Sequence, residues 1–239
     1  WKHSGVRSRF IPNPSTFKNQ AVENREGKNI LFVGRMNAES KQTFKAIETM
    51  QKMLNINPKV NLIMLGSHSN AVEQMIEQKQ IKNVQTVGFK LNVGEFYQNS
   101  SVLMMTSKFE GYPMVIIEAI ANGLPVVTFE MPYLALMKCG VVQVPQGDTE
   151  QMAIEINKFL QNETLRQETA KSAQKCLQQL NDQVVPRWND LLFKVVNEKQ
   201  VEYDDEVDQQ WVDTVLANQI KFLKRFDKKE MRKKRKVVC

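Results

Sequence analysis

The sequence predicts an α/β fold: a doubly wound, Rossmann-like parallel sheet of six strands, followed by extra helices. Three observations predict it. Short apolar runs recur from about residue 29 to residue 144, each bounded by Gly, Pro or polar residues. Between them lie segments whose apolar residues fall three and four apart, the spacing of one helix face. Strands that alternate with helices in this way form a parallel sheet covered on both sides, and six of them suit the order 3-2-1-4-5-6.

Residues 1–27, with Pro12, Pro14 and many polar side chains, read as a connecting segment. Residues 28–180 form the sheet domain, and 181–239 the terminal helices and a basic tail. Asn29–Val33 is the first strand; Lys41 to Leu54 is helical, with Phe44, Ile47, Met50 and Leu54 on one face. Val60–Leu65 is the second strand, Ala71–Lys79 a helix, Val84–Val87 the third strand and Val102–Met105 the fourth. Pro113–Ala121 is a helix, Pro125–Thr128 the fifth strand and Val141–Val144 the sixth. Asp148 caps a helix that runs to Leu160, and another follows from Glu163 to Leu180. Beyond it, Gln183–Asn197 and Val207–Phe226 read as two further helices, the second striped with Trp211, Val215, Ile220, Leu223 and Phe226.

Composition narrows the function classes. Of 239 residues, 42% are apolar and 25% charged, which suits a globular domain. No apolar run reaches the length of a membrane span, and no secretory segment opens the chain. It starts at Trp1 rather than Met, so it reads as a piece of a longer protein. Cys139, Cys176 and Cys239 are odd in number and widely spaced, which points to a reducing, cytoplasmic setting. His3 and His68 have no neighbouring His or Cys, so a zinc site, a Ser-His-Asp triad and a Cys-His pair are disfavoured. The net charge of +7 belongs to the tail, where Lys and Arg crowd between Lys221 and Lys236.

Ligands of a doubly wound sheet bind beyond the carboxyl ends of the strands where the order reverses, here between the first and fourth. The loops leaving those strands are polar: Gly34-Arg35-Met-Asn-Ala-Glu-Ser-Lys41, and Thr106-Ser107-Lys108-Phe109-Glu110-Gly111-Tyr112-Pro113. Arg35 can fork onto a phosphate and Lys41 adds a point charge. Gly34 allows close backbone approach, and Gly111 and Pro113 shape a turn whose helix start offers free N–H groups to an anion or sugar oxygen. Glu110 can accept from sugar hydroxyls. Glu118 lies among Val115, Ile116, Ile117, Ala119 and Ile120, and an unpaired carboxylate there is costly. It needs a partner, either an internal Lys or Arg or a ribose diol. The bland readings are a solvated Arg35, a turn acid at Glu110 and surface charge at Lys108.

Glu110 and Glu118, with seven residues between them inside Ser-x-x-Glu-Gly-Tyr-Pro-x-Val-x-x-Glu-Ala, resemble the E-x7-E motif of the retaining group 1 (family 4) glycosyltransferases of GT-B fold. Phe32-Val33-Gly34-Arg35 with Lys41 resembles their first-strand motif, Ile11-Pro12-Asn13-Pro14 the segment between their two domains, and Gln146-Gly147-Asp148 their late loop. The resemblance covers about residues 11–180. It implies the donor-binding, C-terminal half of a hexosyltransferase-type enzyme, inactive as an isolated piece. Arg35 and Lys41 would neutralise the donor diphosphate, with Glu110 as the third catalytic residue. Glu110, Gly111, Tyr112, Pro113, Met114 and Val115 would hold the sugar, Glu118 the ribose, and backbone at Gly66, Gly88 and Phe89 the base. No cofactor and no essential metal are implied. The partners would be a UDP- or GDP-sugar and a glycan or lipid-linked acceptor bound by an absent first domain. Gly66-Ser-His-Ser-Asn70 lacks a second Gly common in the family, and Met131-Pro132-Tyr133-Leu134 replaces a Gly-containing segment.

Two other readings differ in class. One is a non-catalytic GT-B-like partner subunit that binds a nucleotide sugar; the other is a related epimerase, disfavoured by the E-x7-E pattern. A nicotinamide dehydrogenase is excluded because no Gly-x-Gly-x-x-Gly follows the first strand. The tail has two readings as well: a helix docked on the absent domain, or residues 221–239 on an anionic membrane, placing the protein peripherally at the inner membrane surface. Nucleic acid is not expected, since the basic run lacks interleaved aromatics.

Overall fold

A computed structural model describes residues 11, 13–15, 17–21, 25–110, 112–131, 140–197 and 199. The chain divides into two compact units. The larger comprises Asn13–Met131 with Met137–Asp182, and the smaller Trp1–Pro12, Pro132–Leu136 and Gln183–Cys239.

The larger unit is the expected fold. Six strands, β1 (Asn29–Val33), β2 (Asn61–Leu65), β3 (Val84–Gly88), β4 (Val102–Met105), β5 (Val126–Phe129) and β6 (Val141–Val144), form one parallel sheet in the order β3-β2-β1-β4-β5-β6. Every recorded pairing is parallel, with Ile30 facing Leu62 on one side and Val102 on the other. Side chains of a strand point alternately to opposite faces. Ile30, Phe32, Leu62, Met64, Val102, Met104, Val127 and Phe129 accordingly share one core with α1 (Thr43–Ile56) and α5 (Thr149–Gln161). The intervening Leu31, Leu103 and Val126 are equally buried and lie outside that cluster, so the sheet is covered on both faces. This explains why its strands read as unbroken apolar runs.

β1, β4 and β6 keep the bounds the sequence suggests, and Asp148 caps α5 by accepting from the Gln151 N–H at 2.9 Å. Other elements differ for identifiable reasons. The helix expected from Lys41 is a 3-10 turn, Glu39–Lys41, and then α1, because Gln42 takes a left-handed conformation (φ +46°) between them. Phe44, expected on the buried face of α1, is 48% exposed; Ala46, Ile47, Met50 and Met53 fill that face instead. A short helix, α3 (Gly94–Gln98), stands where no element was expected, with Tyr97 buried beneath it. Pro113 precedes α4 (Met114–Ala121) as its N-cap rather than occupying its first turn. α2 covers Asn70–Gln78. The two helices expected on either side of residue 181 are one, α6 (Glu163–Val196), which runs through Pro186.

Residues after Asn13 also make the domain's own contacts. The Gln20 N–H donates to Ala121 C=O at 2.7 Å, and Arg25 donates to Asn122 C=O at 2.7 Å. Arg166, buried, donates to the carbonyls of Phe159 and Arg25 at 2.6 and 2.7 Å, which satisfies its charge with backbone dipoles. Burial lowers its pKa, with Glu163 opposing that shift. Cys176 on α6 is disulfide-bonded. In the smaller unit the described part of α6 exposes Val185, Trp188, Leu192 and Phe193. The predicted helix over 207–226 and the basic run after it lie outside the described residues. No described helix is long and apolar enough to cross a membrane.

Candidate functional site

β1 and β4 are neighbours at the point where strand order reverses, so their following loops meet at the carboxyl edge of the sheet. They are bonded to each other. The Lys108 N–H donates to Ser40 C=O at 2.7 Å, and the buried Thr106 hydroxyl donates to Lys41 C=O at 2.8 Å. A third loop, after β6, joins them: the Gln146 amide donates to Ser107 C=O at 3.0 Å and accepts from the Gln42 amide at 3.4 Å. Three loops separated widely in sequence thus form one edge.

At that edge the Lys41 ammonium and a Glu110 carboxylate oxygen stand 2.6 Å apart, with side chains only 14% and 17% exposed. The Ser107 hydroxyl donates to the same oxygen at 2.6 Å. Gly34 gives that contact room. A Cβ on it would lie 3.3 Å from two carbons of the Lys41 stem, which crosses this glycine on its way to Glu110. Gly34 is itself fixed from below, its N–H donating to Leu65 C=O at 2.9 Å. Its carbonyl sits so close to Gly66 (φ +150°) that any Cβ at position 66 would collide with it. The Gly66 N–H in turn donates to Gly88 C=O at 3.1 Å, so the ends of β1, β2 and β3 are stitched through three glycines.

Glu118 is served differently. It is the fifth residue of α4, little more than one turn in, and is partly buried. Its partner among the described residues is neither a lysine nor an arginine but the Tyr97 hydroxyl, which donates to Oε2 at 2.8 Å. Tyr97 is fully buried, and the Phe17 ring meets it edge-on at 6.0 Å. Burial first, then the Glu118 charge and the hydrogen bond to it, push the Tyr97 pKa far above its ordinary value. Tyr97 therefore remains a neutral donor.

The other sequence-predicted residues are placed as follows. Arg35 is exposed, and its guanidinium has no hydrogen-bond or ion-pair partner among the described residues. Tyr112 is half-buried, and burial pushes its pKa up to about 12. At the start of α4 the Met114 N–H already donates to Tyr112 C=O at 2.9 Å and the Ile116 N–H to Pro113 C=O at 3.0 Å. That helix start offers fewer open donors than its sequence suggested. Met114 and Val115 are partly exposed; Gly88 has φ +76° with open space where a Cβ would be, and Phe89 is 78% exposed. Gly111 lies outside the described residues. Ser107, Gln146, Gln42 and Tyr97 received no role from the sequence. A pointer to Tyr97 existed in principle, since Glu118 on an apolar helix demanded a donor.

Comparison with known proteins agrees with this architecture. The family described as "Glycosyl transferases group 1" matches residues 15–176. The amylovoran biosynthesis glycosyltransferase AmsD of Erwinia amylovora is 28% identical over 138 residues, covering 55% of this chain and 39% of that protein. Among solved structures, S. aureus TarM in complex with Fondaparinux, alpha-GlcNAc-glycerol and UDP superimposes with a TM-score of 0.73 at 21% identity, covering 80% of this chain and 40% of TarM. Anabaena HepE in complex with UDP-glucose gives 0.58 at 20% identity, covering 71% of this chain and 50% of HepE. The chain spans half or less of the length of each of these proteins. With a family match over most of its length and a sheet of GT-B type, the chain belongs to the group 1 glycosyltransferases.

Proposed function

We propose that this chain is the donor-binding half of a retaining glycosyltransferase, which moves a sugar from a nucleotide-diphosphate sugar to an acceptor hydroxyl. The observation that carries the reading is the 2.6 Å meeting of Lys41 and Glu110 at the strand-order reversal. UDP is the favoured nucleotide, because TarM and HepE, which share this fold, were solved with UDP and UDP-glucose. AmsD, a relative, serves amylovoran biosynthesis, which favours a glycan or lipid-linked acceptor.

The roles follow from donor and acceptor counts. Glu110 uses Oε1 for Lys41 and Ser107, which leaves Oε2 to accept from a sugar hydroxyl. The Lys41 ammonium keeps further N–H donors beyond the one engaged by Glu110, and the Arg35 fork is unengaged among the described residues. In this reading both would bind the diphosphate. As the bond between the sugar's anomeric carbon and the phosphate oxygen breaks, that oxygen leaves with the electron pair. The acceptor oxygen forms the new bond on the same face, and its proton passes to the departing phosphate. The protein's contribution is mainly fixed positive charge facing the leaving group, so no resident metal enters the reading. The acceptor would be bound by a domain outside this chain, and the isolated chain would bind donor but transfer nothing. A peripheral, cytoplasmic position at an anionic membrane, held by residues 221–239, belongs to the same proposal.

Calorimetry of the 239-residue chain with UDP, GDP and their sugars tests it. The expected result is binding that weakens roughly tenfold or more in Lys41→Ala and Arg35→Ala, as loss of a charged contact to phosphate does. Folded wild-type chain that binds none of these ligands would overturn it.

A further inference from the structure

Glu118 would be a mobile side chain on a partly exposed helix turn if nothing held it. The structure holds it from behind. The Tyr97 hydroxyl takes one oxygen, Oε2, at 2.8 Å, while no hydrogen bond to Oε1 is present among the described residues. Tyr97 has no exposed surface, so it cannot touch a ligand itself. It is packed in turn against the Phe17 ring in a T-shaped pair, and the Phe17 backbone is held in a small turn: the Ser15 hydroxyl donates to Phe17 C=O at 2.7 Å and accepts from the Phe17 N–H at 3.2 Å. The chain of contacts runs Ser15, Phe17, Tyr97, Glu118, and each link narrows the freedom of the next.

We propose that Tyr97 is a positioning residue for nucleotide recognition: it locks Glu118 so that the remaining carboxylate oxygen faces a ribose diol. This rests on the donor-binding reading above and deepens it by naming what sets the ribose contact. A carboxylate already ordered before binding loses less side-chain freedom when the ligand arrives. One that must also find its rotamer bears that cost on each encounter. A neutral phenol orders the acid without placing a cation beside the diol, so both ribose hydroxyls can donate to the carboxylate.

The test is a comparison of UDP or GDP, whichever binds the full 239-residue chain more tightly, with its 2′,3′-dideoxy analogue. Wild type should prefer the diol by roughly tenfold, the worth of a hydrogen bond to a charged group. Tyr97→Phe removes only the hydroxyl and keeps the ring against Phe17. It should weaken diol binding about fivefold and leave the dideoxy analogue nearly unchanged, so the preference shrinks. Glu118→Gln should abolish the preference whether residue 97 is Tyr or Phe. Phe17→Leu, which keeps the hydroxyl but loosens its ring, should give an intermediate loss and serves if Tyr97→Phe fails to fold. A Tyr97→Phe protein that weakens both ligands equally, or keeps the full preference, would overturn the positioning role alone. A wild type indifferent to the diol would overturn the Glu118 assignment and this proposal with it, while diphosphate binding through Lys41 would still stand.

Discussion

Glu110 and Glu118 flank the turn that opens α4, and the fold answers each with a different kind of donor. Glu110 lies in the polar loop after β4, where Lys41 and Ser107 converge on one of its oxygens. Glu118 lies on an apolar helix, where the buried Tyr97 supplies a neutral hydroxyl. At the loop the ion pair is largely buried, and the Ser107 hydroxyl helps offset its desolvation by donating to the same oxygen. Beside the helix, a buried lysine would add a second ion to the interior, and the attraction between the two often fails to offset that. The lesson is that an acid on a greasy helix does not by itself imply a cation or a ligand. A phenol can meet the same need.

The largest effect should come from a residue that touches neither acid. Gly66→Ala drives a Cβ into the Gly34 carbonyl, and Gly34 is the floor on which the Lys41 stem lies. Backbone must move, so we expect a loss on the order of 3 kcal/mol or more in urea unfolding, with donor affinity lost alongside. A Gly66→Ala protein of wild-type stability would mean the glycine stitching does not hold the Glu110 side. Next in size is Lys41→Met, which leaves Glu110 partly buried with only Ser107 as donor. It should cost about 1–3 kcal/mol in stability, and nucleotide affinity should become less sensitive to salt. Unchanged salt sensitivity would move the phosphate contact elsewhere, with Arg35 the first place to look.

What the sequence revealed divides along the same line. The sheet was legible because strands buried on both faces leave continuous apolar runs, and β1, β4 and β6 were read to the residue. The convergence of the two loops was legible because strand order alone determines it. Gln42's left-handed kink was not, since it occurs at a residue with no special tolerance for it. Nor was α3, too short to show a period. The bond between Lys41 and Glu110, across 69 positions, has no local signature. The Tyr97–Glu118 bond has none either, because a tyrosine 21 positions away reads as apolar core and its hydroxyl leaves no mark on the hydrophobic pattern.

Ser107→Ala perturbs the Glu110 side more gently. It removes one of two donors to the same oxygen and leaves the ion pair, so about 1 kcal/mol of stability should go. Donor affinity should fall only a fewfold. A loss matching that of Lys41→Met would mean the hydroxyl, not the ammonium, holds the acid in place.

The smallest effect at neutral pH separates the two regions most cleanly, because it belongs to the Glu118 side alone. The folded-state pKa of Tyr97 is raised above its unfolded value of about 10, first by burial and then by Glu118. Between the two values the native chain keeps a proton that the unfolded chain releases. This stability is therefore fully present below about pH 10 and is lost as pH rises beyond it, at up to about 1.4 kcal/mol per pH unit. Tyr112, pushed up to about 12 by burial, adds a contribution of the same sign that is lost between about pH 10 and pH 12. Tyr97→Phe should lose stability at neutral pH, because Glu118 forfeits its donor, yet decline less steeply above pH 10. The two stability curves, followed by urea midpoints from pH 7 to 11, should therefore converge as pH rises. Parallel curves would mean that the Tyr97 proton is not held by the fold, and the contrast between an ionic and a phenolic answer to a buried acid would fail at its second half.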